Sequence, residues 1–452
     1  MARFVGWKGP APQTSPKRAR KHLSADALYG VLRARFEQFH DARGDGVSLS
    51  LADVAFSALA MFLLKDPSLL AFDARRHDRN LKNVFGIQRV PSDTQMREVL
   101  DELDPLQMRA AFNDVFRQLQ RGKVLESFVF HEGSYLIAMD GTGYFSSQKV
   151  HCDACLQKVN STTGEITYSH QMLGACLVHP DRREVIPLAP EPIVKADGQV
   201  KNDCERNAAR RLLQRIREEH PHLQLIVIED GLASNAPHIR DLQRLGMHFI
   251  LGCKPGDHEF LYARLVDVIN EHGEQTLEWK DGDTRCQILF INHVQLNESS
   301  PDVVVNFIMF AEYGPDGTEL TKFSWVTDLL VTMSNARKLT RGGRSRWKIE
   351  NETFNTLKNQ GYHYEHNFGH GRKHLSVVFA MLMMLAFLVD QVQQICCPLF
   401  RAVWEKYGSK RALWEKLRSH FEHFLFSSMR HIYEVMLHDL AKEVALPILN
   451  SS

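Results

Sequence analysis

The sequence predicts an α/β protein in which a mixed sheet carries an inserted β-rich segment and is flanked by helical N- and C-terminal regions. Three observations predict it. First, Ser134-Tyr135-Leu136-Ile137-Ala138-Met139 and Leu223-Gln224-Leu225-Ile226-Val227-Ile228 are short apolar runs of the kind that form buried strands, and each leads into an aspartate followed by glycine. Second, helical and strand patterns alternate between and after these runs. Third, residues 24–129 and 375–447 carry helical periodicity instead. A chain of 452 residues exceeds one ordinary core, so two or three domains are expected.

Taken in order, residues 1–22 read as a flexible basic arm, with Arg3, Lys8, Lys17, Arg18, Arg20 and Lys21, prolines at 10, 12 and 16, and no acid. Residues 23–130 read as a helical, DNA-binding candidate domain. Val54 to Leu64 makes an apolar helix closed by Pro67, Pro91-Ser92-Asp93 starts a second, and Pro105 opens a third. Paired short helices of this kind serve either as a helix-turn-helix DNA reader or as plain bundle packing, and both readings stay open. From 131 to 374 the character is α/β. A strand ends at Asp140, and two more fall around 168–178 and 184–188. A helix over 205–218 places Ala208, Leu212, Leu213 and Ile216 on one face. Then come the strand into Asp230, a helix over 237–245 and a strand over 248–252. Three successive strands followed by alternating helix and strand match the order of a ribonuclease H-like sheet. Four β-rich stretches between about 270 and 330 read as a β-subdomain inserted into that domain.

Residues 375–452 read as a helical C-terminal region. Leu375–Val389 is the most hydrophobic run, yet it is shorter than the roughly 20 residues of a membrane span and is bounded by His374, Asp390 and Gln391. A buried core helix is therefore expected, and no membrane. No secretory signal is expected either, because no apolar stretch follows the basic N-terminus. Eight cysteines in a chain this long fit a reducing compartment. The expected location is cytoplasmic and nucleoid-associated.

Charge is informative in its distribution. The totals, 55 basic against 54 acidic residues, nearly cancel. Residues 329–349, however, hold Arg337, Lys338, Arg341, Arg344, Arg346 and Lys348 and no acid, which is the footprint of phosphate binding. Glu350 follows directly, with Arg346 one helical turn before it. Taken singly, a strand-end Asp-Gly is a turn, and a glutamate among arginines is a surface ion pair. Taken together, Asp140 and Asp230 at the ends of central strands and Glu350 on a basic helix form a set of hard oxygen donors. Such a set suits two Mg²⁺ or Mn²⁺ ions and phosphoryl transfer. Glu229 should face away from Asp230, and Asp203 and Glu205 read as a helix start.

These residues resemble the DDE transposases of bacterial insertion sequences, in the branch with a β-strand insertion in a ribonuclease H-like core. The resemblance covers about 130–395 and rests on Met139-Asp140-Gly141-Thr142, Glu229-Asp230-Gly231 and Arg346-Trp347-Lys348-Ile349-Glu350 leading to Phe354 and Lys358. The family signature Tyr-x2-Arg-x3-Glu-x6-Lys is met by Arg346 and Glu350. Gly343 stands in the tyrosine slot and Leu357 in the lysine slot, with Lys358 next. The resemblance implies a catalytic, metal-binding triad of Asp140, Asp230 and Glu350, with a two-metal Mg²⁺ (or Mn²⁺) site. It implies phosphate contact by Arg346 and a DNA-binding surface that includes Arg344, Trp347, Lys348 and Lys358. Trp347 would stack on a base or else pack in the core. The implied reaction is cleavage of double-stranded DNA at terminal inverted repeats, then attack of the freed 3′-hydroxyl on target DNA by a homodimer or higher oligomer. A ribonuclease H-like nuclease without strand transfer and a non-catalytic DNA-binding derivative are the alternatives.

Two further groups of residues bear on metals. Cys152-x2-Cys155, with His170 and Cys204, is a candidate structural Zn²⁺ site; unligated thiols are the plain alternative. His363, His366, His370 and His374, next to Arg372 and Lys373, read as a polar, partly cationic loop near phosphate rather than as ligands.

Overall fold

The computed structural model describes residues 21–44, 46–195 and 204–439. The first twenty residues of the basic arm, Asp203 and residues 440–452 lie outside that range. Six helices come first: α1 (Ala25–Phe36), α2 (Leu51–Leu64), α3 (Leu69–Ala74), α4 (Arg79–Phe85), α5 (Asp93–Asp101) and α6 (Met108–Arg121). Their starts follow the capping chemistry of the sequence. Ser24, Ser50, Ser68, Asp78 and Ser92 each accept a backbone N–H in the first turn, and Ser92 forms a full capping box with Gln95.

A mixed sheet of 12 strands follows. Its first strands are β1 (Val129–His131), β2 (Ser134–Ser147), β3 (Leu156–Val159), β4 (Ile166–Val178), β5 (Ile186–Pro187) and β6 (Glu191–Ile193). Helix α7 (Glu205–Glu219) leads to β7 (Leu225–Glu229), α8 (Ala236–Arg244) to β8 (His248–Gly252), and α9 (Glu259–His272) to β9 (Gln275–Asp281), β10 (Thr284–Asn297), β11 (Ser300–Tyr313) and β12 (Glu319–Thr327). Strand β2 pairs antiparallel with β4 and parallel with β7, and β7 pairs parallel with β8. The short strands β3, β6 and β5 share the other edge of β4. Every residue of β7 is buried, as the apolar run Leu225–Ile228 requires of a parallel strand covered on both faces.

The β-rich insertion is continuous with this sheet and does not form a subdomain apart from it. Strand β12 pairs antiparallel with β8, setting Trp325, Val326 and Thr327 opposite Gly252, Leu251 and Ile250. Strands β11, β10 and β9 then extend the order outward. The physical reason is the free edge of β8: without β12 its backbone groups would be unpaired.

After β12 come α10 (Ala336–Arg344), a π-helix (Ile349–Phe354) and α11 (Asn355–Asn359), then α12 (Leu375–Cys396), α13 (Pro398–Tyr407), α14 (Lys410–His423) and α15 (Met429–His438). Helix α12 has a mean hydropathy of 2.2 and is long and apolar enough to cross a membrane, but 94% of that stretch is buried inside the protein. It packs against α1, α2, α5 and α6 and against β5. The two helical regions, expected as separate units, therefore form one body around α12. Polar contacts lock the junction. The Asp101 carboxylate, at the end of α5, accepts the backbone N–H groups of Arg372, Lys373, His374 and Leu375 and so caps α12 from across the fold. The Asn80 amide donates to the carbonyls of Phe421 and Phe424.

The most costly polar feature of this body is a buried ion pair. Lys65, held in the left-handed conformation that ends α2 (φ 58°), places its ammonium 2.7 Å from Asp390 of α12. It lies over the rings of Tyr362 (4.5 Å) and Trp414 (4.2 Å), while the Tyr362 hydroxyl donates to the same carboxylate. Burial pushes the Lys65 ammonium below its ordinary pKa, and Asp390 works against that shift. Removing the carboxylate strands a charge in the interior, so Asp390→Ala is expected to cost about 3–5 kcal/mol of stability in urea denaturation. A loss below about 1 kcal/mol would contradict a paired, desolvated Lys65.

Candidate functional site

The parallel pairing of β2 with β7 sets Tyr135 opposite Leu225 and Ala138 opposite Ile228. Asp230 directly follows the last residue of β7, two positions past that last pair, and its charge acts on Asp140. Strand β2, expected to end at Asp140, instead runs on to Ser147 because β4 pairs with it as far as that residue, so Asp140 is a mid-strand residue beside the end of β7. Asp230 turns its carboxylate onto the Leu232 N–H (3.0 Å) and begins a short 3₁₀ turn. Asp140 accepts from Gly141 N (2.9 Å) and from the Arg346 guanidinium (2.7 Å).

The segment carrying Glu350 is seated at this point by the absence of a side chain. Gly174 of β4 stands opposite Asp140 in the antiparallel ladder, so its Cβ position and the Asp140 side chain share a face. A Cβ on Gly174 would lie 2.9 Å from the Phe354 ring and 3.5 Å from Ile349 Cδ1. Ile349 and Phe354 are five positions apart. A 3.6-residue turn would point them well away from each other, whereas the wider π-turn presents both to the sheet. The sequence pattern gave no sign of this deviation from a regular α-helix, and π-turns are frequent at functional sites. Glu350 is the second residue of the π-helix. Its side chain is exposed and has no bonded partner among the described residues.

A cleft of ≈ 690 Å³ adjoins the strand ends and is lined by Asp140, Glu205, Glu229, Asp230 and His238, among others. Glu205, expected only as a helix start, is the first residue of α7, and its carboxylate occupies the space a Gly141 side chain would fill. Burial raises its pKa above the usual glutamate value, and the charges of Asp140, Asp230 and Glu229 raise it further. Burial likewise raises the Asp140 carboxyl. Arg346 and the Gly141 N–H pull it down, while the Asp230 charge pushes it up. Glu229 also lines the cleft and is buried and bonded to His238 at 2.6 Å.

The basic residues divide. Arg346 touches the site. Trp347 is 44% exposed and available for stacking. Arg344 pairs with Glu312 (3.0 Å) and lies over Phe310 and Phe323 of the inserted strands. Lys358 pairs with Glu365 (2.8 Å). Lys348, expected at a DNA surface, is an interior residue: it is 5% exposed and donates to the Arg182 carbonyl (2.5 Å). Its helical position turns it toward the core, and burial lowers its pKa.

A second constellation is formed by Cys152, Cys155, His170 and His370, all buried, with one ligand atom of each within 4.8 Å of the others. This Cys₂His₂ cluster has the donors to bind a metal such as zinc. Cys204, the fourth ligand expected from the sequence, is exposed at the start of α7 and lines the acidic cleft instead. His370 takes its place, from the histidine run expected to be a polar loop. Among the described residues the carboxylates of Asp140, Asp230 and Glu350 are not drawn together as closely as this cluster. The chain matches no known protein-family profile, and no curated protein is significantly similar to it.

Two outcomes follow from this geometry. Gly174→Ala inserts a methyl against the Phe354 ring, and the π-helix must shift; the expected cost is about 1–3 kcal/mol by chemical denaturation, and an unchanged midpoint would contradict the close seating. The second concerns pH. Because the folded-state pKa of Asp140 is raised, the folded protein binds this proton more tightly than the unfolded chain. The site therefore lowers stability above the folded pKa and ceases to do so below the unfolded value. Without added divalent cation, Asp140→Asn should be more stable than wild type at pH 7. That difference should vanish as the pH falls through the carboxyl range, in paired thermal melts.

Proposed function

We propose that this chain is a DDE-class DNA transposase acting through metal-dependent phosphoryl transfer, on a catalytic core of ribonuclease H-like type. The observation that carries this reading is that Asp230, at the end of β7, lies near enough to Asp140 of β2 for its charge to act on it, with the Glu350 segment seated against β4 at the glycine facing Asp140. The core topology supports it. Three antiparallel neighbours (β2, β4 and the β5–β6 edge) are joined to two parallel strands (β7, β8). The insertion between β8 and the glutamate segment falls where the resembling branch carries its own.

The donor set fits divalent cations. Burial, with a further contribution from the neighbouring carboxylates, raises the pKa of Asp140 and Glu205, and Arg346 is the cation bonded to Asp140. Asp140 and Asp230, with Glu350 from the π-helix, are the residues that would hold Mg²⁺ or Mn²⁺; Glu205 is an additional carboxylate within reach of their charge. What bound cations supply is Lewis-acid polarisation of a DNA phosphate and activation of an attacking oxygen. The protein's own residues position the substrate. Arg346, released from Asp140, would contact a phosphate beside the reacting one, and the exposed Trp347 would stack on a base. Cleavage at paired terminal repeats implies a homodimer or larger assembly.

The test is cleavage of a labelled duplex carrying the repeats that flank the gene, with Mg²⁺, by wild type and Asp140→Asn. Metal-dependent nicking at the repeat end is expected, reduced at least about 10³-fold by the substitution, on the order of 4 kcal/mol in the barrier. Binding of the duplex by wild type with no metal-dependent cleavage would overturn the enzymatic reading.

A further inference from the structure

We infer that Cys152, Cys155, His170 and His370 hold one zinc ion, and that this ion staples the chain following Glu350 to the strand that carries Asp140. The second part rests on the catalytic reading of those carboxylates; the first does not.

Four of the six ligand-to-ligand distances match a tetrahedral site, and all six lie within 4.8 Å. Zinc bonds of about 2.3 Å to sulfur and 2.0–2.1 Å to nitrogen imply ligand-to-ligand edges of about 3.8 Å between sulfurs and about 3.5 Å between sulfur and nitrogen. Here the Sγ atoms of Cys152 and Cys155 are 3.8 Å apart. His170 Nε2 lies 3.3 Å from Cys152 Sγ and 3.4 Å from Cys155 Sγ, and His370 Nε2 lies 3.4 Å from Cys155 Sγ. A disulfide needs its sulfurs about 2.05 Å apart and does not need two imidazole nitrogens converging on them. Two thiolates and two imidazoles in a tetrahedral arrangement select zinc over harder cations. The surroundings are dry and aromatic: Tyr144 stacks on His170 (5.8 Å between ring centroids) and Phe145 packs on His370 (4.3 Å). Such a shell keeps water from the ion and restricts the rings.

The four ligands come from three parts of the fold. The cysteines lie in the loop between β2 and β3, and His170 is on β4. His370 lies between α11 and α12, 215 residues from Cys155. It is delivered by a Gly369-His370-Gly371 turn whose glycines have φ of 155° and 69°. A Cβ on Gly369 would press on Leu375, and one on Gly371 would meet Asp101, the residue that caps α12. Glycine is therefore required on both sides of this histidine. Zinc would close a loop from the glutamate-bearing segment back onto β2 and β4, which carry Asp140 and its facing Gly174.

The test uses the full chain purified under reducing conditions. Elemental analysis is expected to find one zinc per chain, and Co²⁺ exchanged for it should give the visible and thiolate charge-transfer bands of a tetrahedral S₂N₂ site. Cys204→Ala should keep the zinc, and His370→Ala should lose it. Wild type that is folded by circular dichroism, yet holds no stoichiometric zinc and shows no Co²⁺–thiolate band, would overturn the site, whatever the variants do. Removing the zinc with a chelator should then accelerate amide exchange over residues 349–374. Unchanged exchange there would overturn the staple and leave the zinc site standing. A protein that passes both tests but never cleaves DNA keeps the zinc site and loses the catalytic reading instead.

Discussion

Strand β2 is hydrogen-bonded along both edges, antiparallel to β4 and parallel to β7, and this double pairing governs the rest of the candidate site. Along one edge the pairing runs to Ala138 opposite Ile228, and Asp230 follows where β7 ends, within reach of Asp140. The other edge decides which residue of β4 faces Asp140, and that residue is Gly174. A slip of one residue on either side would turn the carboxylate or the gap to the wrong face. Both central strands are apolar and buried on both faces over Leu136–Met139 and Leu225–Ile228.

Gly174 has its effect through what it lacks. A backbone without a side chain lets the π-helix come close enough for Ile349 and Phe354 to pack beside the strand. Cys176 reaches the same helix through Thr353 (3.7 Å). At its far end the segment runs into the loop that carries His370, and from there into α12, whose N-terminus is capped by Asp101 of α5. The position of Glu350 is thus defined from two directions, by the sheet beneath it and by the helical body that anchors the loop after it. Helix α12 joins the two, since it packs both on the N-terminal helices and on β5.

Much of this was legible in the sequence where the determining forces are local. Apolar runs located β2, β7 and β8 and amphipathic spacing located α7, but β2 runs on to Ser147, beyond the expected end at Asp140, because β4 pairs with it that far. Helix α12 is buried as expected, yet it continues through Asp390 and Gln391 to Cys396, because those polar groups find partners inside the protein. What was not legible depends on partners distant in the chain. The free edge of β8 draws in β12 from more than seventy residues away, so an insertion that looked like a separate unit became part of the sheet. Cys152-x2-Cys155 is a local signal, but its fourth partner is chosen by topology: Cys204 was the nearer candidate in sequence, and His370 is the nearer in space. Lys348 misled for a related reason: a charge in a basic run looks exposed until the neighbouring elements bury it. Glu205 does start α7 as expected, and what the sequence did not reveal is that it also lines the cleft beside Asp140 and Asp230.

On the proposed reading, two kinds of metal chemistry would be separated in this architecture, and the separation would follow from solvent access. The carboxylates of Asp140, Asp230 and Glu205 line one cleft. Burial raises the pKa of Asp140 and Glu205, and the neighbouring carboxylate charges add to that cost. A site of this kind is destabilising until cations or a cationic side chain neutralise it, and it exchanges ligands readily because water reaches it. Arg346 occupies that role in the absence of cations, bonded to Asp140 while Glu350 four residues later stays unpaired among the described residues. The cysteine–histidine cluster is the opposite case. Its donors are soft, buried and matched in number to one tetrahedral ion, with aromatic rings in place of water. An ion held there would exchange slowly and add rigidity rather than reactivity. The same loop of chain connects the two, so the rigid centre is placed to limit how far the glutamate of the open one can move.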